Sequence, residues 1–238
     1  MSVGPASHGP RVAVTTSVDR YDQLAGPLDV AGCVPVRLPC IEIHRVDQAT
    51  IAAVREAAAA ADVVVLTSQR PVPTVWPDGM RGISVLAVGE ATARIARDAG
   101  ATIVGVGTGG GLELAALLIS TTAGKKVVYP HAGGTADAMR AMLERNAQDL
   151  AAYEVYRVTS VAPPHDPVDA VMFASPSAVH GWFSARKLDD VVVAAIGGTT
   201  GAALREHGAS ADVVPDRPGF LGLVAATAAR LLQKETSP

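Results

Sequence analysis

Aromatic residues are scarce in this chain of 238 residues, with Phe, Trp and Tyr together making 4%. Its core must be filled by Ala, Val and Leu. Apolar residues reach 49%, ample for one large domain or two small ones. Charge is also sparse: 18% of residues are charged and the net balance is −3. That excludes a protein that binds nucleic acid by general electrostatic attraction. No apolar run reaches the roughly 18 residues of a membrane span. The opening "MSVGPASHGP" lacks the basic and apolar regions of a secretion signal and reads as a frayed tail. The two cysteines, Cys33 and Cys40, lack a CxxC spacing and are expected as small core residues, not a disulfide. Walker A, GxSxG and HExxH motifs are missing. The six histidines show no ligand spacing, so no metal site is expected. What remains is a cytoplasmic α/β protein.

Short Val-rich runs alternate with Ala-rich helical patterns along the whole chain. Strands are expected at 11–16, 62–68, 84–89, 102–107, 126–131, 170–175, 191–197 and 211–216. Continuous apolar runs of this length, each followed by a helix, indicate parallel strands covered on both faces. Helices fit 18–31, 48–60, 90–99, 112–121, 135–145, 176–186, 199–207 and 219–233. Several end on glycine (Gly32, Gly100, Gly208), which supplies a left-handed C-cap.

One plan is used twice. "LAVGEATARIARDAGA" (86–101) aligns with "AIGGTTGAALREHGA" (195–209), so that Gly89, Thr92 and Gly100 fall on Gly197, Thr200 and Gly208. "DVVVLTSQRPVPTVW" aligns with "DAVMFASPSAVHGWF", placing Asp62 on Asp169 and Ser68 on Ser175, with Trp76 and Trp182 near the ends of the two stretches. Tandem domains meeting near 123 and an interleaved pair both accommodate this. The segments 34–43 and 150–158 favour the second, because they alternate like exposed ribbon strands. Paired with each other, they would bridge one lobe of 44–149 and another of 1–33 plus 159–238.

In an open parallel sheet, ligands bind beyond the carboxyl ends of the strands. The turns there are "TTSVDR", "TSQR", "GEAT", "GTGGG", "PHAGG", "SPS", "GGTT" and "DRPG". Almost all offer Gly, Ser or Thr directly before a helix, where free N–H groups favour anions. Any single Ser or Thr there is more simply an N-cap contributing about 1 kcal/mol. "GVGTGG" (105–110) matches the dinucleotide fingerprint G-x-G-x-x-G, yet no acidic residue ends the next strand. A tight turn is the expected role. His131 reads as a surface or turn residue, and Trp76 and Trp182 as packing on helices. Tyr153 and Tyr156 are three apart in one strand, so strict alternation points them to opposite faces.

The ordered set "GCVPVRLPCIEI", "VVVLTSQRPV", "VGEATARIARDAGA", "YEVYRV", "VMFASPSAV" and "AIGGTTGAALREHGA" resembles the uroporphyrinogen-III synthase family across nearly the whole chain. The resemblance implies two flavodoxin-like α/β lobes with parallel sheets, joined by a two-stranded linker and holding a linear tetrapyrrole between them. It implies a cofactor-free cyclisation of hydroxymethylbilane with inversion of ring D. It places Tyr156 near the leaving hydroxyl as a proton donor, and Thr67, Ser68 and Arg70 on a substrate-facing turn. Thr92, Ser175, Ser177, Thr199 and Thr200 match the remaining substrate hydroxyls. A monomer without nucleic-acid or membrane partners is expected. The chain departs from the family pattern in lacking Arg at the end of the first strand and Arg-Gly after "VVYP". A diverged, non-catalytic relative that binds or senses a ligand is the alternative, and a hinged small-molecule binding protein is a third reading.

Overall fold

Residues 9–107, 111–133, 138–216 and 219–235 are described by the computed structural model. The expected frayed tail (1–8), the end of "GVGTGG" (108–110), the start of the 135–145 helix (134–137) and Arg217–Pro218 lie outside the described residues.

The chain begins with β1 (Arg11–Val14), a 3-10 turn (Val18–Arg20), α1 (Asp22–Val30), β2 (Val34–Arg37) and β3 (Ile41–Arg45). It continues through α2 (Gln48–Ala60), β4 (Val63–Leu66), α3 (Pro71–Val75), β5 (Ser84–Ala87), α4 (Glu90–Asp98) and β6 (Thr102–Val106). Next come α5 (Gly111–Thr122), β7 (Lys126–Gly133), α6 (Ala138–Asn146) and β8 (Asp149–Ser160). β9 (Ala170–Phe173), α7 (Pro176–Phe183), β10 (Val192–Ala195), α8 (Gly198–Glu206) and α9 (Phe220–Glu235) complete it. The result is an α/β fold with parallel-dominated sheets.

Contacts divide the chain into Met1–Ile43 with Thr159–Pro238, and His44–Val158. The first unit holds a parallel four-stranded sheet ordered β10-β9-β1-β2. Alternation along its strands feeds two separate cores. Val12, Val14 and Met172 pack with Leu24, Leu28 and Leu223 of α1 and α9 on one face. Ala13, Val171 and Phe173 pack with Val179, Trp182 and Leu204 of α7 and α8 on the other. Each fully buried Val or Leu contributes about 1.5–3 kcal/mol, so a sheet buried on both faces needs no large aromatic complement. Trp182 and Phe173 meet edge to face, with centroids 5.9 Å apart.

The second unit is built on the six-stranded sheet β3-β8-β7-β4-β5-β6, in which β8 through β6 run parallel. Val63, Val65, Leu86, Val127 and Tyr129 pack with Leu118 and Leu143 of α5 and α6, while Ile51, Val54 and Ala58 are the buried side of α2. The order β8-β7-β4-β5-β6 repeats β2-β1-β9-β10, with Val213, bridged in parallel to Ala194, standing in the fifth place. The sequence repeat thus has a spatial counterpart: β4 and β5 sit where β9 and β10 sit. Gly100 and Gly208 close the matching helices with φ of +92° and +73°, a conformation that side chains with a β-carbon rarely adopt.

Several expectations are corrected. Segment 34–43 is not one ribbon strand. Val34–Arg37 pairs in parallel with β1, and Ile41–Arg45 is the edge strand beside β8. Val36 and Leu38 are buried, which anchors the first half inside its sheet, and Pro35 is tolerated because β2 is an edge strand. β8 is likewise paired on both sides. Residues 18–31 split into a 3-10 turn and α1, 211–216 makes only the bridge at Val213, and α3 is an element the sequence pattern does not predict. Both cysteines are buried in the core, as expected.

Candidate active site

In the second unit the chain leaves β4 toward β5 and β6 on one side, and places β7 and β8 on the other. The boundary between β4 and β7 is a topological switch point, where adjacent connections diverge and leave a crevice at the carboxyl edge. Thr67 and Ser68 follow β4 directly and are partly buried. Tyr156 stands on β8 opposite Ala132, near the carboxyl end of β7. Its hydroxyl lies 3.0 Å from Ser68 Oγ, a hydrogen bond in which either oxygen can donate. Arg70 places its guanidinium carbon 5.6 Å from the centre of the Tyr156 ring, within cation–π range. Ser68, Arg70 and Tyr156 are therefore one cluster, with Tyr156 only 7% exposed.

The parity expectation for the two tyrosines fails. His131 pairs with Glu154 but Ala132 pairs with Tyr156, so β8 carries one extra residue at Val155. Such a bulge resets alternation. Tyr153 opposes Pro130 and Tyr156 opposes Ala132, two positions on the same face of β7, so both tyrosines share that face. Glu154, on the other face, makes a bidentate ion pair with Arg157 at 2.9 Å and lies against Gly133, where any side chain would meet its carboxylate. His131 is a strand residue, not a turn residue, and stacks on Tyr129 at 5.1 Å.

Thr92 lies in the first turn of α4, beyond β5 on the same edge, and is buried. Gly89, the N-cap of α4, supplies no side-chain acceptor, and neither does Gly197 at α8. The first-turn amides of both helices thus keep their anion-binding character.

The first unit has its own switch point, between β1 and β9. Ser175 follows β9 and caps α7, accepting from the Ala178 amide at 3.3 Å. Ser68 and Ser175, equivalent in the repeat, thus do different things: Ser175 is a helix cap, whereas Ser68 is bonded to a phenol. Ser177 is in the first turn of α7, and its carbonyl accepts from Ser160 at 2.8 Å. Thr199 is exposed and Thr200 buried in the first turn of α8. After β1, Thr15 donates to the Met172 carbonyl at 2.6 Å. Thr16 Oγ1 beside it is buried without a partner. These turns were legible as polar, but nothing in "VTTSV" distinguishes the satisfied hydroxyl from the orphan.

Cavities of about 430 Å³ beside Trp76, Asp78 and Arg81, and about 390 Å³ beside Trp182, Arg186 and Lys187, touch none of these residues. Their linings include Ile83, Val168 and Val191, just before β5, β9 and β10. They open at the amino edges, away from the hydroxyl turns. Trp76 and Trp182 are both buried, consistent with packing.

Among the described residues no group of three or more His, Cys, Asp or Glu is placed to hold a metal ion. No described helix is long and apolar enough to cross a membrane. The fold and cluster define a doubly built parallel α/β protein whose second unit carries a hydroxyl, a phenol and a guanidinium together at the carboxyl edge of its sheet. The family model described as uroporphyrinogen-III synthase HemD matches residues 22–225, and the chain belongs to that family. Similar solved structures include a mutant uroporphyrinogen III synthase from the extreme thermophile Thermus thermophilus, at 22% identity and a TM-score of 0.64, covering 95% of this chain and 100% of that one. The wild-type Thermus enzyme in another crystal form gives 21% and 0.51, over 96% and 100%. Uroporphyrinogen-III synthetase from Helicobacter pylori 26695 gives 16% and 0.58, over 95% and 99%. At these identities the likeness concerns the fold. No curated protein matches the chain in sequence.

Proposed function

We propose that this chain acts as a uroporphyrinogen-III synthase, a cyclising lyase that closes hydroxymethylbilane with inversion of ring D and loss of water. The observation that carries the reading is the Ser68–Tyr156 hydrogen bond beside Arg70 at a switch-point edge, in a chain of this family. The two units are taken as flavodoxin-like lobes, joined where the chain passes from one to the other within β3 and β8. The strand order β10-β9-β1-β2 and the crossings of the chain near 43 and 158 support that reading.

Tyr156 donates toward the departing hydroxyl of the bilane. The C–O bond breaks, water leaves with that proton, and an azafulvene cation remains. The substituted carbon of the far pyrrole attacks it, giving a spiro intermediate whose rearrangement inverts ring D. Final loss of a proton, returned to the Tyr156 oxygen directly or through water, restores the aromatic pyrrole. Ser68 orients the phenol, and Arg70 pairs with a substrate carboxylate. Thr67, Thr92, Ser175, Ser177, Thr199 and Thr200 are assigned to the other carboxylates through hydroxyls and first-turn amides. Holding both ends of the bilane in closing geometry is the larger contribution, because orientation alone can lower a barrier by about 7–11 kcal/mol. The protein is taken to act as a cytoplasmic monomer without a cofactor.

Enzymically generated hydroxymethylbilane supplied to the purified chain tests this. Isomer III is expected; formation of isomer I alone, the spontaneous ring, sinks it. Tyr156→Phe keeps the ring and removes the donor. A general acid contributes roughly 10²–10⁴ in rate, and a loss near the lower end with isomer III retained is expected, since solvent can supply the proton. An unchanged rate removes Tyr156 from the chemistry.

A further inference from the structure

His180 lies in the last turn of α7 and His207 is the C-cap residue of α8. Both are exposed. His180 Nδ1 and His207 Nε2 stand 2.9 Å apart, with the rings inclined at 60°. Phe183 lies flat on the His207 ring, 4.5 Å away at 5°, and so holds its plane. Two ring nitrogens this close must share one proton between two lone pairs, because two N–H groups would collide. Both also sit at helix carboxyl ends, where the aligned peptide dipoles leave partial negative charge that favours a cation.

We propose that His180 and His207 form a two-histidine site for a divalent d-block ion, copper(II) foremost, the ion taking the place of the shared proton, which moves to the outer nitrogen of the donor ring or to solvent. Metal–imidazole bonds are about 2.0–2.1 Å long. An ion at that distance from two nitrogens 2.9 Å apart subtends an angle of about 90° at the metal, the cis angle of tetragonal coordination. A tetrahedral ion such as zinc needs the nitrogens about 3.3 Å apart. Tetragonal geometry and the Irving–Williams order both favour copper(II) over other first-row divalent ions. The described residues add no third ligand, so water completes the coordination shell. An ion here ties together the far ends of α7 and α8, whose first turns carry Ser177, Thr199 and Thr200. The site is independent of the proposed cyclisation.

Titration of the metal-free full chain with copper(II) in a non-coordinating buffer tests the site. One tight equivalent is expected, with electron paramagnetic resonance showing two nitrogen ligands. His180→Gln and His207→Gln should each weaken binding at least tenfold and remove one nitrogen from the spectrum, while His44→Gln leaves both unchanged. In the unaltered chain, copper should also slow amide exchange in the last turns of α7 and α8, a readout that needs no variant. Equal affinity in the two variants and the parent, or unchanged exchange in those turns, overturns the proposal.

Discussion

Thr15 and Thr16 are neighbours with opposite energetic standing. Thr15 satisfies its hydroxyl on the Met172 carbonyl, whereas Thr16 Oγ1 is buried with no partner. A buried unsatisfied polar atom costs about 1–3 kcal/mol, and a net hydrogen bond contributes about 0.5–1.5 kcal/mol. Thr16→Val, nearly isosteric, is therefore expected to hold or raise the urea midpoint, and Thr15→Val to lower it. Equal losses at the two positions would show that an internal water satisfies Thr16. Cys40 gives a second test. Burial pushes its thiol up to about 12, with the Arg186 charge pulling more weakly the other way. Native protein at pH 8 should leave Cys40 unmodified by iodoacetamide until it is unfolded. Because the folded value is raised, this thiol's contribution to stability is full below its ordinary value of 9 and is lost as pH rises toward 12. The site itself was only half legible. Hydroxyls after strands can be picked out from letters, but "YEVYRV" gives no sign of the extra residue that brings Tyr153 and Tyr156 to one face.

At the scale of elements, α2 offers a clean test of capping. Asp47 accepts from the Thr50 amide at 2.7 Å, and that bond holds its carboxyl below the ordinary 3.8. A depressed folded value means stabilisation that is complete above pH 3.8 and disappears as pH falls through the folded value. Asp47→Asn should thus melt earlier than the parent near neutrality, with the gap closing in acid; a gap independent of pH would assign the effect to local packing. The long Val runs were readable because both faces of each sheet are buried, so no polar alternation blurs them. "VPVRLPCIEI" misled because its alternation belongs to two different strands in two sheets, separated at Leu38–Cys40. α3, with five residues, is too short to show a helical period.

On the scale of the whole molecule, the second unit is continuous in sequence and the first is not. Residues 44–158 contain α2 to α6, β4 to β7 and the core around Val63, Leu86, Val127 and Leu143. A fragment of 44–158 is expected to melt cooperatively on its own in circular dichroism. A featureless melt would mean that the edge strand β3 or the flanking segments are needed to close the sheet.

The pairing of Val12 with Ala170 has a consequence for the chain as it is made. β1 and β2 emerge from the ribosome first, yet the strand that completes their sheet lies beyond the entire second unit. At about 5–20 residues per second, the intervening segment takes on the order of ten seconds to appear. During that interval Val12, Val14, Leu24 and Leu28 lack Met172 and Leu223, the partners they cover in the finished core. Residues 11–37 are thus expected to stay unfinished until β9 and α9 appear, and the second unit to reach its native state before the first.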